Sequence, residues 1–209
     1  DSPDATKVAL FSLSLVGKMA DCPAVSCTLR HQDEYISKLA EHALWSIWLR
    51  GDKPGADLRL RQAVQLIARD RLDEAKRRLD AIIHEYPEFA EAYNQRAIIH
   101  FLQTHYDRAR EDLNEALRLN PAHFAAIAGL GHCYVAEGRC DDAWDQYELA
   151  LRIHPRAEGL PEFIAELQRC RPCRRNRSSL PPHTPAWMLR TDRSLLPRQP
   201  QSGNQDPFR

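Results

Sequence analysis

An all-α fold, a solenoid of stacked helical hairpins, is the class this sequence predicts, and three observations carry it. Pro87, Pro121 and Pro155 stand 34 residues apart. Between them large apolar residues recur at the same offset: Tyr147 answers to Leu113 and Leu79. Small residues recur too, as Ala63 and Ala75, then Ala97, Ala109 and Ala116, then Gly131, Ala143 and Ala150. Such a period marks a repeat in which one helix pair cannot bury its apolar face alone, so stacking neighbours supplies the core.

Placing Pro155 at position 32 of a unit puts Leu130, Gly131 and Tyr134 at positions 7, 8 and 11, and Ala143, Tyr147 and Ala150 at 20, 24 and 27. One period back stand Tyr93, Arg96, Ala97, His100, Ala109, Leu113, Ala116 and Pro121, and two periods back Arg59, Gln62, Ala63, Leu66, Ala75, Leu79, Ile82 and Pro87. This pattern resembles the tetratricopeptide repeat, with three units at 56–89, 90–123 and 124–157 covering Ala56 to Pro155. The resemblance implies a right-handed superhelix, a binding module rather than an enzyme, and a concave groove lined by the first helix of each pair.

The elements follow in order. Residues 1–32 have little periodicity; the apolar run Val8 to Val16 fits a short strand, a helical turn or a disordered leader alike. From Asp33, the residues Ile36, Leu39, Ala40, Ala43, Leu44, Ile47 and Trp48 fall on one helical stripe, ended by Gly51 and Pro54. This predicts an amphipathic helix over 33–50 that caps the exposed side of the first hairpin with Trp45 and Trp48; an aromatic binding ledge is the alternative. Within the units, small residues at positions 8, 20 and 27 let two antiparallel helices approach, and Ile82 predicts looser packing in the first. Turns are expected around Asp70, His105 and Gly138, and the prolines close each second helix. Pro161 and Glu162 open a second capping helix over 161–170. Beyond it, seven of the 14 prolines fall among arginine, serine and glutamine, so 171–209 reads as a disordered tail.

Charge and cysteine usage bound the function. The formal net charge is zero, yet Arg169 to Arg209 holds nine arginines against Asp192 and Asp206, so an acidic body carries a basic tail. That balance argues against nucleic-acid binding by the body and leaves it open for the tail alone, whose alternative role is to hold a nucleic acid or anionic surface with the solenoid as its handle. No run approaches the roughly 18 apolar residues of a membrane span. The six cysteines do not form the pattern of a small disulfide scaffold, which fits a reduced, cytoplasmic setting; Val8 to Val16 and Ala24 to Cys27 supply a competing targeting reading, interrupted by Lys18 and Asp21.

In the resembling family, positions 2, 5, 9 and 12 of the first helices face the groove. Here they hold Asp57, Leu60, Val64 and Ile67, then Glu91, Asn94, Ile98 and Phe101, then Ala125, Ala128, His132 and Val135. The family's clamp for acidic chaperone tails needs Lys and Asn, then Asn, then Lys and Arg; this chain has Leu60 and Val64, then Gln95, then Ala125 and Gly129. The clamp is absent, so the expected ligand is an apolar or amphipathic peptide segment of another protein, with Asn94 as polar anchor through its donor and acceptor. Ile98→Glu is expected to remove binding at little cost to folding. Internal cover by Trp187, Met188, Leu189, Leu195 and Leu196 of the tail, or plain exposure, are the alternatives. No cofactor, metal or catalytic group is expected. Cys170-x-x-Cys173 with His183, and Cys22, Cys27 and His31, are each one ligand short of a structural zinc site, and no H-E-x-x-H, phosphate loop or nucleophile elbow occurs.

Overall fold

The computed structural model describes residues 2–53 and 55–170. All the regular structure among them is helical: α1 (Pro3–Val16), a 3-10 turn (Met19–Asp21), α2 (Cys22–Thr28), α3 (Glu34–Arg50), α4 (Ala56–Ala68), α5 (Leu72–Glu85), α6 (Ala90–Leu102), α7 (Tyr106–Leu119), α8 (Phe124–Ala136), α9 (Cys140–Ile153) and α10 (Leu160–Cys170). The apolar run Val8 to Val16 therefore belongs to a helix, not a strand. Helices α4–α5, α6–α7 and α8–α9 are the three hairpins, and they stack in chain order.

The period of the sequence returns as a period of hydrogen bonds. After each first helix the chain turns through a left-handed residue, at Asp70 (φ 58°), Thr104 (φ 60°) and Gly138 (φ 75°). The next amide then reaches back five residues, Arg71 to Leu66, His105 to His100 and Arg139 to Tyr134, which closes the end of the helix. Glycine fits that conformation freely, whereas Asp70 and Thr104 adopt it under strain. Each second helix ends equally regularly, with Tyr86, Asn120 and His154 donating to Ile82, Ala116 and Ala150 before the exposed proline.

Between paired helices the small residues do what their size predicts. Ala63, Ala75, Ala97, Ala109, Ala116, Gly131, Ala143 and Ala150 are all buried. At Gly131 an added Cβ would lie 2.4 Å from the Tyr147 ring, itself fully buried, so only glycine fits. Ile82 is buried where the other units have alanine, and the first pair touches less closely than the other two.

The two ends of the stack differ. At the trailing end α10 lays Phe163, Ile164 and Leu167 against the α8–α9 core. At the leading end Leu58 is 60 % exposed, whereas Ala92 and Ala126, at the same offset in the next units, are fully buried by the hairpin before them. Helix α3 thus does not cap the first hairpin. That surface carries polar contacts instead: Arg59 pairs with Glu85, and Arg78 bonds Gln62 and Glu74. It is already wettable and needs no apolar cover.

Candidate functional site

Helix α3 is capped at its start by Asp33, whose carboxylate accepts the Tyr35 amide at 2.8 Å, and at its end by Gly51 in the left-handed conformation. Gly51 is required there twice over, because a Cβ would also meet the Phe89 ring at 2.3 Å. Between these ends α3 is buried along Ile36, Ala40, Ala43, Leu44, Ile47 and Trp48, with α1 and α2 on one side and the solenoid on the other.

Its contacts with the solenoid fall at every inter-repeat turn. Near its start, Arg156 donates to the carbonyls of His31 (2.6 Å) and Gln32 (3.1 Å), and Arg30 donates to the Arg152 carbonyl. In the middle, Glu41 Oε2 lies 3.3 Å from His154 Nε2. One turn on, Trp45 meets Phe124 edge-on, and two turns on Trp48 stacks on His123 with centroids 4.2 Å apart. Past its end, Gly51 abuts Phe89 and Lys53 pairs with Glu88 at 2.5 Å. The helix therefore runs backwards along the stack, from the third unit to the first, over the starting ends of the first helices.

That placement decides what the expected groove residues do. They stand on neighbouring helices, Leu60, Val64 and Ile67 on α4, Glu91, Asn94, Ile98 and Phe101 on α6, and Ala128, His132 and Val135 on α8. Most are not open to a ligand. Leu60 and Ile98 share one core with Leu49 of α3 against it, and Ala125 belongs to the core of α3. Val64, Ile67, Glu91, Asn94, Ala128 and His132 are buried as well, while Phe101 and Val135 are half-buried. Exposure grows along each first helix toward its far end, where Leu102, Tyr134 and Val135 are half-buried and Ala68 and Ala136 exposed. A crevice lined by Asn94, Ile98, Phe101, Ala125 and Gly129 encloses about 10 Å³, the size of a single water.

The polar groups of the row are already engaged. Glu91 accepts from Gln95 at 2.6 Å and from Asn94 at 3.2 Å on one oxygen, and its other oxygen meets His123 Nε2 at 2.7 Å. The Ala126 amide donates to His123 Nδ1, which leaves Nε2 to carry the hydrogen toward Glu91. Asn94 therefore turns its amide nitrogen inward to Glu91 and is 3 % exposed, so the expected anchor of a peptide backbone is a support for the pair under Trp48. Nothing in the sequence pattern singled out His123 or His154: they stand 31 residues apart, at different offsets of the 34-residue repeat, so the period does not pair them.

His132 sits between Tyr147, in a 2.6 Å hydrogen bond, and the edge of Phe163. Burial lowers its pKa from 6.5 to about 3, so it stays neutral in the folded chain. Unfolding restores the ordinary value, so below pH 6.5 the unfolded chain binds a proton that the folded one refuses. Its contribution is complete above pH 6.5 and is lost as pH falls toward 3, by about 2 kcal/mol at pH 5. His132→Gln should flatten the fall in urea-unfolding free energy between pH 7 and pH 5 by that amount; an unchanged slope would show that His132 is not the group responsible. His100, its pKa also lowered chiefly by burial, acts in the same direction.

Among the described residues no cluster of three or more His, Cys, Asp or Glu side chains is placed to hold a metal, and no helix is long and apolar enough to cross a membrane. Cys22 and His31 therefore do not complete a site with Cys27. The Cys173 and His183 set and the apolar tail cluster lie outside the described residues.

Fold and site define a class: a solenoid of three helix pairs with its own N-terminal helix docked along the inter-repeat turns. Residues 90–123, which span α6, α7 and the turn that follows, match the family model of the tetratricopeptide repeat, and α4–α5 and α8–α9 repeat the same hairpin on either side of it. A TPR repeat-containing protein of Rhizobium etli is 30% identical over 77 residues, 37% of this chain and 38% of its own length. The chain spans less than two fifths of the curated relatives it matches. Two solved domains share the fold: the first TPR of Spaghetti (RPAP3) bound to an HSP90 peptide, at TM-score 0.53 and 18% identity over 55% of this chain and 91% of that one, and the Sgt2 TPR domain of Aspergillus fumigatus, at 0.54 and 15% over 65% and 94%.

Proposed function

We propose that the chain is a noncatalytic protein-interaction scaffold that holds an apolar or amphipathic peptide segment along the far ends of its first helices. The observation that carries this reading is the position-12 row, Ile67, Phe101 and Val135, which is apolar in all three units and lies where α3 does not reach. Leu102 and Ala136 extend it. Two or three apolar side chains of a partner helix or strand can bury themselves there, while the polar groups of the row face inward to Glu91 and His123.

The ligand differs in kind from the acidic peptide of the RPAP3 domain. Leu60, Val64, Gln95, Ala125 and Gly129 offer no cation where the clamp would hold a carboxylate, and all five are buried. The cations near the open ends have partners within the chain: Arg71 with Glu74, Arg110 with Glu137, and Arg139 with Asp142. A neutral apolar segment meets fewer charges to displace.

Ile98 is 6 % exposed and Ala97 1 %, so Ile98→Glu would report on folding; Phe101→Glu is the informative change. In a crosslinking pull-down from native lysate, Phe101→Glu should lose the partners of the full chain at least about tenfold, with helicity unchanged. Partners lost only when the chain ends at Cys170 would move the function to the basic tail. Partners retained by Phe101→Glu would contradict the proposal.

A further inference from the structure

Helix α1 carries an apolar ridge that the protein leaves uncovered. Val8, Phe11, Leu15 and Val16 are 66, 59, 62 and 75 % exposed, four of the seven large apolar side chains exposed among the described residues. They fall at i, i+3, i+7 and i+8, one face of the helix. The opposite face is fixed: Leu10 and Ser14 are buried against α3, and Arg50 donates to the carbonyls of Leu13, Ser14 and Gly17. The ridge is thus rigid and preformed.

Two features suit it to being dried out. Its hydroxyl, Ser12, already donates to the Val8 carbonyl at 2.9 Å, so covering it strands no donor. Its charges, Asp4 and Lys7, pair with each other at 3.0 Å at the helix start.

From this we infer that α1 is the contact of a reversible homodimer. The order of side chains selects a second copy as the occupant. About a two-fold axis between Phe11 and Ser12, antiparallel packing sets Val8 of each copy against Leu15 of the other and drops each Phe11 ring into the notch over the other copy's Ser12. A single self-complementary patch suffices for such an isologous contact, and it opposes the two helix dipoles. A lipid surface would call for basic residues along the polar face, whereas here the one lysine of α1, Lys7, is paired with Asp4. The ridge offers roughly 400 Å² per copy, as large as the biggest apolar patches of monomers, and roughly 800 Å² when paired, the size of a weak, concentration-dependent dimer. The contact is independent of the peptide row.

Sedimentation velocity of the full chain from low to high micromolar concentration tests it. The weight-average mass should rise from 24.0 kDa toward twice that value, and Phe11→Glu, a change at an exposed site, should weaken association at least about 30-fold with an unchanged helical spectrum. Ser12→Cys, next to the axis, should crosslink to its counterpart on mild oxidation, and Ala20→Cys, exposed off the ridge, should not. A mass that never rises, or a dimer that survives Phe11→Glu, overturns the inference. So does a monomer that pelleted with phosphatidylcholine–phosphatidylserine vesicles in a Phe11-dependent way, or one that dimerised only after removal of residues 171–209; these would give the ridge to lipid or to the tail.

Discussion

Arg96→Met should lower the unfolding free energy by about 3–5 kcal/mol. Arg96 holds the Asp112 carboxylate with two nitrogens, at 2.7 and 2.8 Å, and reaches Asp80 with the third at 2.8 Å. One guanidinium so ties α6 to α5 before it and α7 after it, across a unit boundary. The hydrogen bonds to Asp112, ahead of the cost of burial, raise the pKa of Arg96 and keep it charged. Methionine keeps the apolar stem but leaves Asp112, 6 % exposed, without its counter-charge; His100 Nε2, 3.8 Å away, is too far to replace it. Asp80 is less affected because Lys76 also holds it at 2.8 Å. Adding Asp112→Leu to Arg96→Met should recover most of the loss, since a buried pair can be replaced by apolar side chains at little cost. Urea unfolding followed by circular dichroism measures both; a loss below about 1 kcal/mol in the single variant would show the network to be ornamental to stability.

The second large effect is expected at Trp48→Ala, again about 3–5 kcal/mol. Trp48 is 2 % exposed, stacked on His123 and 5.2 Å from the Phe124 ring. Its removal opens a void between α3 and the solenoid, over the bond between His123 and Glu91. The remaining ties of α3 to the stack are Trp45 against Phe124, Leu49 against the core of Leu60 and Ile98, Glu41 beside His154 and, beyond its two ends, the more exposed Lys53–Glu88 pair and the Arg156 donors. Exposed pairs of this kind contribute little each. Hydrogen exchange should therefore show the amides of α3 losing protection before those of α6 to α9. Uniform loss across both regions would mean that α3 and the solenoid fold as a single unit.

What could be read from the sequence is what the period controls. The small residues at positions 8, 20 and 27, the turns around Asp70, His105 and Gly138, and the closing prolines act within a unit or between adjacent units, so each recurs and can be counted. The start and stop of α3 were legible for the same local reason, in Asp33 and Gly51. Where α3 docks was not. Its apolar stripe shows that it must be covered and is silent on which surface covers it, and the contacts that decide, Trp48 with His123 and Glu41 with His154, join residues more than 70 positions apart. The expected groove residues stand on the first helices, yet their accessibility depends on that unread docking, which is why Leu60 and Ile98 are buried while Phe101 stays half-buried. Helix α1 escaped detection because its exposed and buried faces are both apolar, which erases the periodic contrast that marks a surface helix.

The most direct test of the scaffold reading is site-specific photo-crosslinking, with a photoreactive phenylalanine analogue placed at 101, at 135 or, as a control on the outer helix row, at the exposed Arg77. The account predicts that positions 101 and 135 capture the same apolar or amphipathic segment of a partner and that position 77 does not. Capture at 77 alone, or capture at 101 and 135 of nothing but the chain's own residues 171–209, would contradict it.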